Sequence, residues 1–167
     1  MNARMISIAA MMIMSCNMSA KAQTSQADVS DVRDAATMQV HAVGSQIYEC
    51  KKSGHDRLEW GFREPVASLI ANGKTVGVHY AGPAWRMTDG SSIKGSVIRQ
   101  ATGTTSHDIP WLELKVTEHL GEGMLSNVTD IRRIGTKGGN LSGSCSPEGA
   151  FVSVPYEAEY IFVKPQR

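Results

Sequence analysis

Four side chains near the middle of the chain have the chemistry of a ligand-binding site. They are His79, Trp85, Arg86 and Asp89, and a Gly82-Pro83 turn separates the histidine from the other three. An exposed indole offers a surface for stacking, an imidazole titrates near neutral pH, and the other two residues carry opposite charges. We predict that a ligand contacts this group. The competing interpretation is that Trp85 is buried as a plug, as most aromatic residues of small β-domains are.

The five histidines raise the question of a metal site, which their spacing does not support. They occur at positions 41, 55, 79, 107 and 119, and no two have the i, i+2 spacing of ligands on one strand. A serine hydrolase would need a nucleophile elbow of the form G-x-S-x-G, and the sequence has none. We predict no metal ligands and no cofactor. The loop pairs His55-Asp56 and His107-Asp108 leave a convergent catalytic site as the alternative.

These groups must be positioned by strands, because the apolar residues recur with a period of two. The segments with the strictest alternation are 58–63, 75–80, 112–117 and 152–162, and the weaker ones are 38–43, 46–50, 66–71, 93–99 and 130–136. Such alternation is typical of antiparallel sheets with one solvated face, and Asn72-Gly73 is typical of a hairpin turn. We therefore predict an all-β domain over residues 37–167, a single antiparallel β-sandwich or barrel.

The alternation also predicts which side chains face the interior. Over residues 75–80 it places Tyr80 inward with Val76 and Val78, and it places His79 on the outer face. The expected core consists of the large apolar residues Trp60, Val78, Tyr80, Leu112, Leu114, Tyr156, Tyr160 and Phe162.

The first 22 residues have the pattern of a secretory signal peptide. Arg4 supplies the positive charge, residues 5–14 are almost entirely apolar, and Ala20-Lys21-Ala22 fits a signal peptidase site. The apolar run is much shorter than the ~20 residues of a membrane span. We expect cleavage after Ala22 and a periplasmic or secreted product. The alternative is a lipid anchor on Cys16, because the residues before it loosely resemble a lipobox.

Cleavage would leave a nearly neutral chain with two cysteines. Removal of Arg4 and Lys21 leaves 15 basic residues against 16 acidic ones, a net charge of −1. Binding to nucleic acid or anionic lipid needs clustered basic residues, so we predict neither as a partner. Cys50 and Cys145 form an even pair in an oxidising compartment, which predicts a disulfide. Residues 23–36 are polar and are interpreted as a tether or one short helix.

Several ordered motifs in this chain resemble one known family. They are GSQIYEC at 44–50, WGFREPVASL at 60–69 and GVHYAGPAW at 77–85, then shorter motifs at 89–91, 95, 109–112, 131–134, 138–139, 145 and 154–156. Their order is similar to that in the family called domain of unknown function 3455, which occurs in secreted proteins of bacteria and fungi. The resemblance implies a single secreted β-domain with a Cys50–Cys145 pair. It implies no established activity.

The sequence favours binding over catalysis. Aromatic-rich turns on a β-scaffold, with no assembled catalytic motif, predict a non-catalytic extracytoplasmic binding module. Its partner would be a small apolar or glycan-like ligand, or an envelope protein. The alternative is an extracytoplasmic enzyme, either metal-assisted through histidines or a hydrolase with a convergent His–Asp site.

Overall fold

The computed structural model describes residues 24–31, 36–54 and 56–165. One short helix precedes eight strands. In chain order they are α1 (Gln26–Ser30), β1 (Ala36–Lys52), β2 (Leu58–Ala71), β3 (Lys74–Tyr80), β4 (Ala84–Met87), β5 (Ser92–Ala101), β6 (Trp111–Leu120), β7 (Asp130–Gly138) and β8 (Phe151–Lys164). The predicted signal peptide, residues 1–22, lies outside the described residues. No helix among the described residues is long and apolar enough to cross a membrane.

The eight strands form one closed antiparallel barrel. Each strand pairs with the next one in the sequence, and β8 pairs with β1 to close the sheet. The all-β prediction is confirmed, and of the two predicted architectures the barrel is correct. β1 and β2 each join two predicted strands, whereas the sequence did not predict the four-residue β4.

A β-bulge explains why the sequence pattern predicts two strands where the structure has the single strand β2. Tyr48 pairs with Phe62 and Ile47 pairs with Glu64, so Arg63 is an extra residue without a partner in β1. An extra residue shifts the side-chain alternation by one position. As a result Phe62 and Pro65 both face the interior, although they are three positions apart and strict alternation would place them on opposite faces.

The up-and-down topology places the strand connections alternately at the two ends of the barrel. The β1–β2, β3–β4, β5–β6 and β7–β8 connections lie at one end, called the open end below. The β2–β3, β4–β5 and β6–β7 connections lie at the other, the closed end. The β6–β7 connection fills the closed end, because its Leu125 and Val128 are fully buried and belong to the core.

Only part of the predicted core is correct. Four of the expected residues are buried: Leu114, Tyr156, Tyr160 and Phe162. Trp60 and Leu112 are partly exposed, because both line a cavity at the open end.

The predicted facing of β3 is wrong. Tyr80 is 37% exposed and Val78 is only partly buried, whereas His79 is 2% exposed. The inner set of this strand includes Gly77, which has no side chain and therefore adds nothing to the hydrophobic pattern. Val78 and Tyr80 thus lie on the outer face, whereas Val76, at a register shift between β3 and β2, packs against the core as predicted.

A disulfide and a short helix add contacts to those between the strands. A disulfide joins Cys50 to Cys145, as predicted, and ties the end of β1 to the β7–β8 connection. Helix α1 begins with a capping box between Ser25 and Asp28 and packs against β5, β6 and β7, with Val29 fully buried. Residues 23–36, interpreted from the sequence as a tether or one short helix, include this helix at Gln26–Ser30.

Candidate functional site

The barrel wall is incomplete between β2 and β5 near the open end. β2 pairs with β3 only from Ala67 onward, and β5 pairs with β4 only up to Lys94. The parts of β2 and β5 that lie nearer the open end have no strand between them. The short β3–β4 hairpin therefore leaves an opening, with Gly82 and Pro83 at its edge.

A cavity of about 610 Å³ occupies this end of the barrel. Small-molecule sites in proteins typically measure about 300–1,000 Å³. Most of the lining is apolar or aromatic, and it comprises Tyr48, Trp60, Phe62, Pro65, Gly82, Pro83, Val97, Ile109, Pro110, Leu112 and Leu141. The polar part of the lining is small and comprises Gln46, Arg63, Arg133 and Asn140.

Two aromatic residues from neighbouring strands form part of the cavity wall. Hydrogen bonds hold the first, Tyr48, in place, whereas the ring of the second, Phe62, is exposed. The rings of Tyr48 and Phe62 meet edge to face, with 5.8 Å between their centroids. The Tyr48 hydroxyl donates to the carbonyl of Gly139 at 2.8 Å and accepts from the N–H of Leu141 at 3.2 Å. Burial raises the pKa of Tyr48, so the hydroxyl keeps its proton. Phe62 is 51% exposed and presents an unburied ring at the opening.

The loops at the open end are tied to one another. Asp108 accepts the N–H of Gly138 at 2.7 Å, and the Asn140 amide donates to the carbonyl of Ser106 at 2.7 Å. The disulfide holds the same β7–β8 connection against β1. The disulfide and these hydrogen bonds therefore hold the loops around the cavity in place.

Arg133 brings a positive charge into the cavity without an acidic partner. Its Nε and one terminal nitrogen donate to the carbonyl of Pro110 at 3.1 and 2.9 Å. No carboxylate of the described residues forms an ion pair with it. The other cavity arginine, Arg63, is different: it lies 3.2 Å from the carboxylates of both Glu49 and Glu64.

Buried polar atoms surround the guanidinium of Arg133. The side-chain nitrogen of Gln46 has no hydrogen-bond partner among the described residues, although Gln46 is only 2% exposed. The hydroxyls of Tyr156 and Tyr160 are buried and likewise lack a well-formed hydrogen bond there. Burial raises the pKa of both phenols, and the charge of Arg133 acts in the opposite direction. The two phenols lie beside each other, and that of Tyr160 also lies beside Arg133, so the amide nitrogen of Gln46 is the donor of this group that has no partner.

His79 lies beneath this group inside the barrel, and the predicted outward position is wrong. Its ring stacks on Trp85 with 4.6 Å between centroids and 10° between planes. Nδ1 donates to the carbonyl of Ala84 at 2.9 Å, which assigns the proton to that nitrogen. Burial, with a smaller contribution from the charge of Arg133, lowers the pKa of His79 from 6.5 to about 3, and the hydrogen bond to Ala84 acts in the opposite direction. The imidazole is therefore neutral at physiological pH.

The structure does not bring the four predicted binding residues together. His79 and Trp85 are buried inside the barrel, and Trp85 is 1% exposed. Arg86 is exposed and lies over the ring of Tyr80, 5.9 Å from its centroid, on the opposite face of β4. Asp89 is at the closed end. The competing interpretation of Trp85 as a buried plug agrees with the structure.

Asp89 has a structural role in the β4–β5 turn. One carboxylate oxygen accepts the N–H and hydroxyl of Ser91 at 3.0 and 2.7 Å. The other accepts the N–H of Met124 at 2.7 Å. These hydrogen bonds, that from Met124 first, lower the pKa of Asp89. The carboxylate thus fastens the β6–β7 connection to the β4–β5 turn.

The described histidines lie in different parts of the molecule. His41 pairs with Glu159, His79 is inside the barrel, His107 is on an exposed loop, and His119 bonds the carbonyl of Val128. His55 lies outside the described residues. The described residues contain no group of three side chains arranged to bind a metal ion.

Comparison with known families identifies the family of the chain. A family model described as a protein of unknown function, DUF3455, matches residues 31–75 and 70–164. The chain belongs to the DUF3455 family. The match spans every strand of the barrel and confirms the resemblance seen in the motifs. No curated protein and no solved structure matches the chain.

Two cavity residues of this DUF3455 barrel went unnoticed in the sequence as candidates. Arg132 and Arg133 are consecutive in a strand, so one of the two had to face the interior. Gln46 lies two positions before Tyr48 and shares its face. For Gln46 the available signal was a polar residue in phase with an aromatic residue, and for Arg133 it was the pair of consecutive arginines in one strand.

Proposed function

We propose that this DUF3455 protein binds a small, largely apolar molecule in the cavity at the open end of its barrel, outside the cytoplasm. The observation that carries the proposal is the cavity itself, which combines about 610 Å³ of space with an apolar and aromatic lining. A well-formed apolar pocket with a few convergent polar groups is the usual form of a ligand site. The function is therefore that of a binding protein, in agreement with the prediction from the sequence.

Binding suits the cavity better than catalysis does. A general acid or base must titrate near the working pH and reach the substrate. His79 is held neutral beneath the cavity, and the hydroxyl of Tyr48 is engaged by two backbone groups. The loop pair His107-Asp108 offers no catalytic dyad, because the Asp108 carboxylate accepts from Gly138 and Thr105.

Export from the cytoplasm is part of the proposal. The Cys50–Cys145 disulfide supports it, because such bonds persist mainly in oxidising compartments. Intact-mass measurement of the protein from its own cells tests it, and Gln23 is the expected N-terminal residue. A lipid-modified Cys16 as the first residue would instead support the anchored form, and an uncleaved chain in the cytoplasm would contradict export.

Titration with an uncharged fluorescent dye, N-phenyl-1-naphthylamine, tests the binding function. We expect saturable binding to one site per chain. Phe62→Ala removes an exposed ring from the cavity wall and is expected to weaken binding about three- to tenfold.

Phe151→Ala is the matched control for this titration. Phe151 is exposed to a similar extent, 57%, but it is not part of the cavity lining. Its removal should leave dye binding unchanged. Absence of saturable binding to the wild-type protein would contradict the proposed function, and equal effects of both substitutions would place the dye elsewhere.

A further inference from the structure

We propose that the natural ligand carries a carboxylate, which binds between Arg133 and Gln46 while an apolar body fills the rest of the cavity. This inference rests on the proposed function and adds the chemical class of the ligand: a monocarboxylic acid with a hydrocarbon body. Nothing in the family description assigns such a site.

The first argument is the charge of Arg133. Its guanidinium lies in a mainly apolar cavity and is held there by a neutral carbonyl, that of Pro110, with no ion pair among the described residues. A charge in such surroundings is costly unless an opposite charge accompanies it. Arg132 and Arg63 differ from Arg133 in this respect, since the guanidinium of each lies within 3.2 Å of a carboxylate.

The second argument is the orientation of the guanidinium group of Arg133. Two nitrogens of Arg133 donate to Pro110, and the guanidinium also lies beside the buried hydroxyl of Tyr160, at the wall of the cavity that Arg133 lines. The Pro110 carbonyl thereby fixes the plane of the guanidinium before a ligand arrives. Arginine binds carboxylates through charge-assisted hydrogen bonds that depend on such fixed geometry.

The third argument is the unsatisfied amide of Gln46. Its nitrogen is buried and has no acceptor among the described residues, and Gln46 belongs to the lining of the same cavity. A buried donor without a partner is destabilising. A carboxylate has two oxygens and only accepts hydrogen bonds, so one group satisfies both Gln46 and Arg133.

The charge balance favours a monoanion. The cavity contains one arginine without a carboxylate partner, because Arg63 is already paired with Glu49 and Glu64. A phosphate monoester would carry close to two negative charges at neutral pH. The remaining lining is apolar, so the rest of the ligand is a hydrocarbon body that extends toward the opening beside Phe62.

The test compares three ligands that share one hydrocarbon chain: dodecanoate, dodecanol and dodecyl phosphate. Each is measured by displacement of N-phenyl-1-naphthylamine from the wild-type protein at neutral pH. A hydrogen-bonded ion pair should give dodecanoate an advantage of about ten- to hundredfold over dodecanol. Equal affinities would overturn the carboxylate site while leaving the proposed binding function intact. Tighter binding of dodecyl phosphate than of dodecanoate would also overturn it.

Variants locate the charge that recognises the acid. Arg133→Gln should abolish the preference for dodecanoate and leave dodecanol binding nearly unchanged, which also shows that the barrel is folded. Arg86→Gln is the control, because Arg86 is exposed outside the cavity and should keep the full preference.

Two further substitutions keep the test decisive if Arg133→Gln does not fold. Arg133→Lys keeps the charge but loses the planar set of N–H donors of the guanidinium, so it should retain part of the preference for dodecanoate over dodecanol. Gln46→Leu removes one donor and should reduce the preference about three- to tenfold. An unchanged preference in both variants, or its loss in Arg63→Gln instead, would overturn the assignment to Arg133.

Discussion

Arg132 and Arg133 are neighbours in β7, and their charges lie in opposite surroundings. Arg132 is 9% exposed and its guanidinium lies 2.9 Å from the carboxylate of Glu113. Arg133 points to the other face of the strand, into the cavity, where it donates to the carbonyl of Pro110 and has no carboxylate partner among the described residues. A single step along the strand therefore separates a structural ion pair from the group on which ligand selectivity is proposed to depend.

Trp85→Ala should be strongly destabilising. The indole is 1% exposed and packs against His79, Tyr160 and Phe162, so its removal leaves a large hole in the core. We expect a loss of about 3–5 kcal/mol in the free energy of unfolding, measured by urea denaturation. Trp60→Ala is the comparison, because Trp60 lines the cavity and is only partly buried. It should cost less stability and weaken dye binding; the reverse ranking would contradict both placements.

His79 should make the protein less stable in mild acid. Its pKa falls from 6.5 to about 3 on folding because burial penalises the charged form. The unfolded chain therefore takes up the proton first, and the stabilising contribution is complete above pH 6.5 and declines as the pH falls toward 3. Between pH 7.5 and pH 5 the expected loss is about 2 kcal/mol.

The variant His79→Phe isolates this effect. It keeps an aromatic ring beside Trp85 but cannot be protonated, so its stability should depend less on pH over this window. His107→Phe changes an exposed histidine and should keep the wild-type dependence. Identical pH profiles for wild type and His79→Phe would show that the buried imidazole is not the cause.

At the scale of elements, a short hairpin and a long connection define the site. The β3–β4 hairpin ends below the level of β2 and β5 and leaves the opening. The β7–β8 connection supplies Asn140 and Leu141 to the lining and is held by the disulfide. Removal of the disulfide should therefore affect both stability and binding.

The double variant Cys50→Ala/Cys145→Ala tests this expectation. The bond spans 95 residues, for which the chain-entropy model gives about 4–5 kcal/mol, less any strain. We expect a loss approaching that size in urea denaturation, together with weaker dye binding. Wild-type protein in reducing buffer should behave in the same way. Two reactive thiols in the unfolded, unreduced protein would contradict the bond.

Whole-molecule features were predictable from the sequence where they depend on local alternation. The strands around Leu114 and Tyr160 and the Cys50–Cys145 pair follow from period two and from an even cysteine count. The sequence left sandwich and barrel open, because closure depends on the pairing of β8 with β1, which no local pattern encodes. The bulge at Arg63 likewise depends on register between strands.

The candidate site was predicted less well than the fold. Closeness in sequence suggested that His79, Trp85, Arg86 and Asp89 form one patch, but the two faces of β4 and the turn after it separate them. The residues of the cavity come instead from five strands and three connections, so that only the closed barrel brings them together.

An NMR titration tests the central claim most directly, because it shows where a ligand binds. The protein is labelled with ¹⁵N and titrated with N-phenyl-1-naphthylamine. The account predicts saturable shifts at the indole N–H of Trp60 and at the backbone of Phe62, Leu112 and Leu141, with no change at Asp89 or Met124 at the closed end. Shifts centred on Arg86 and Asp89, with Trp60 unchanged, would contradict it.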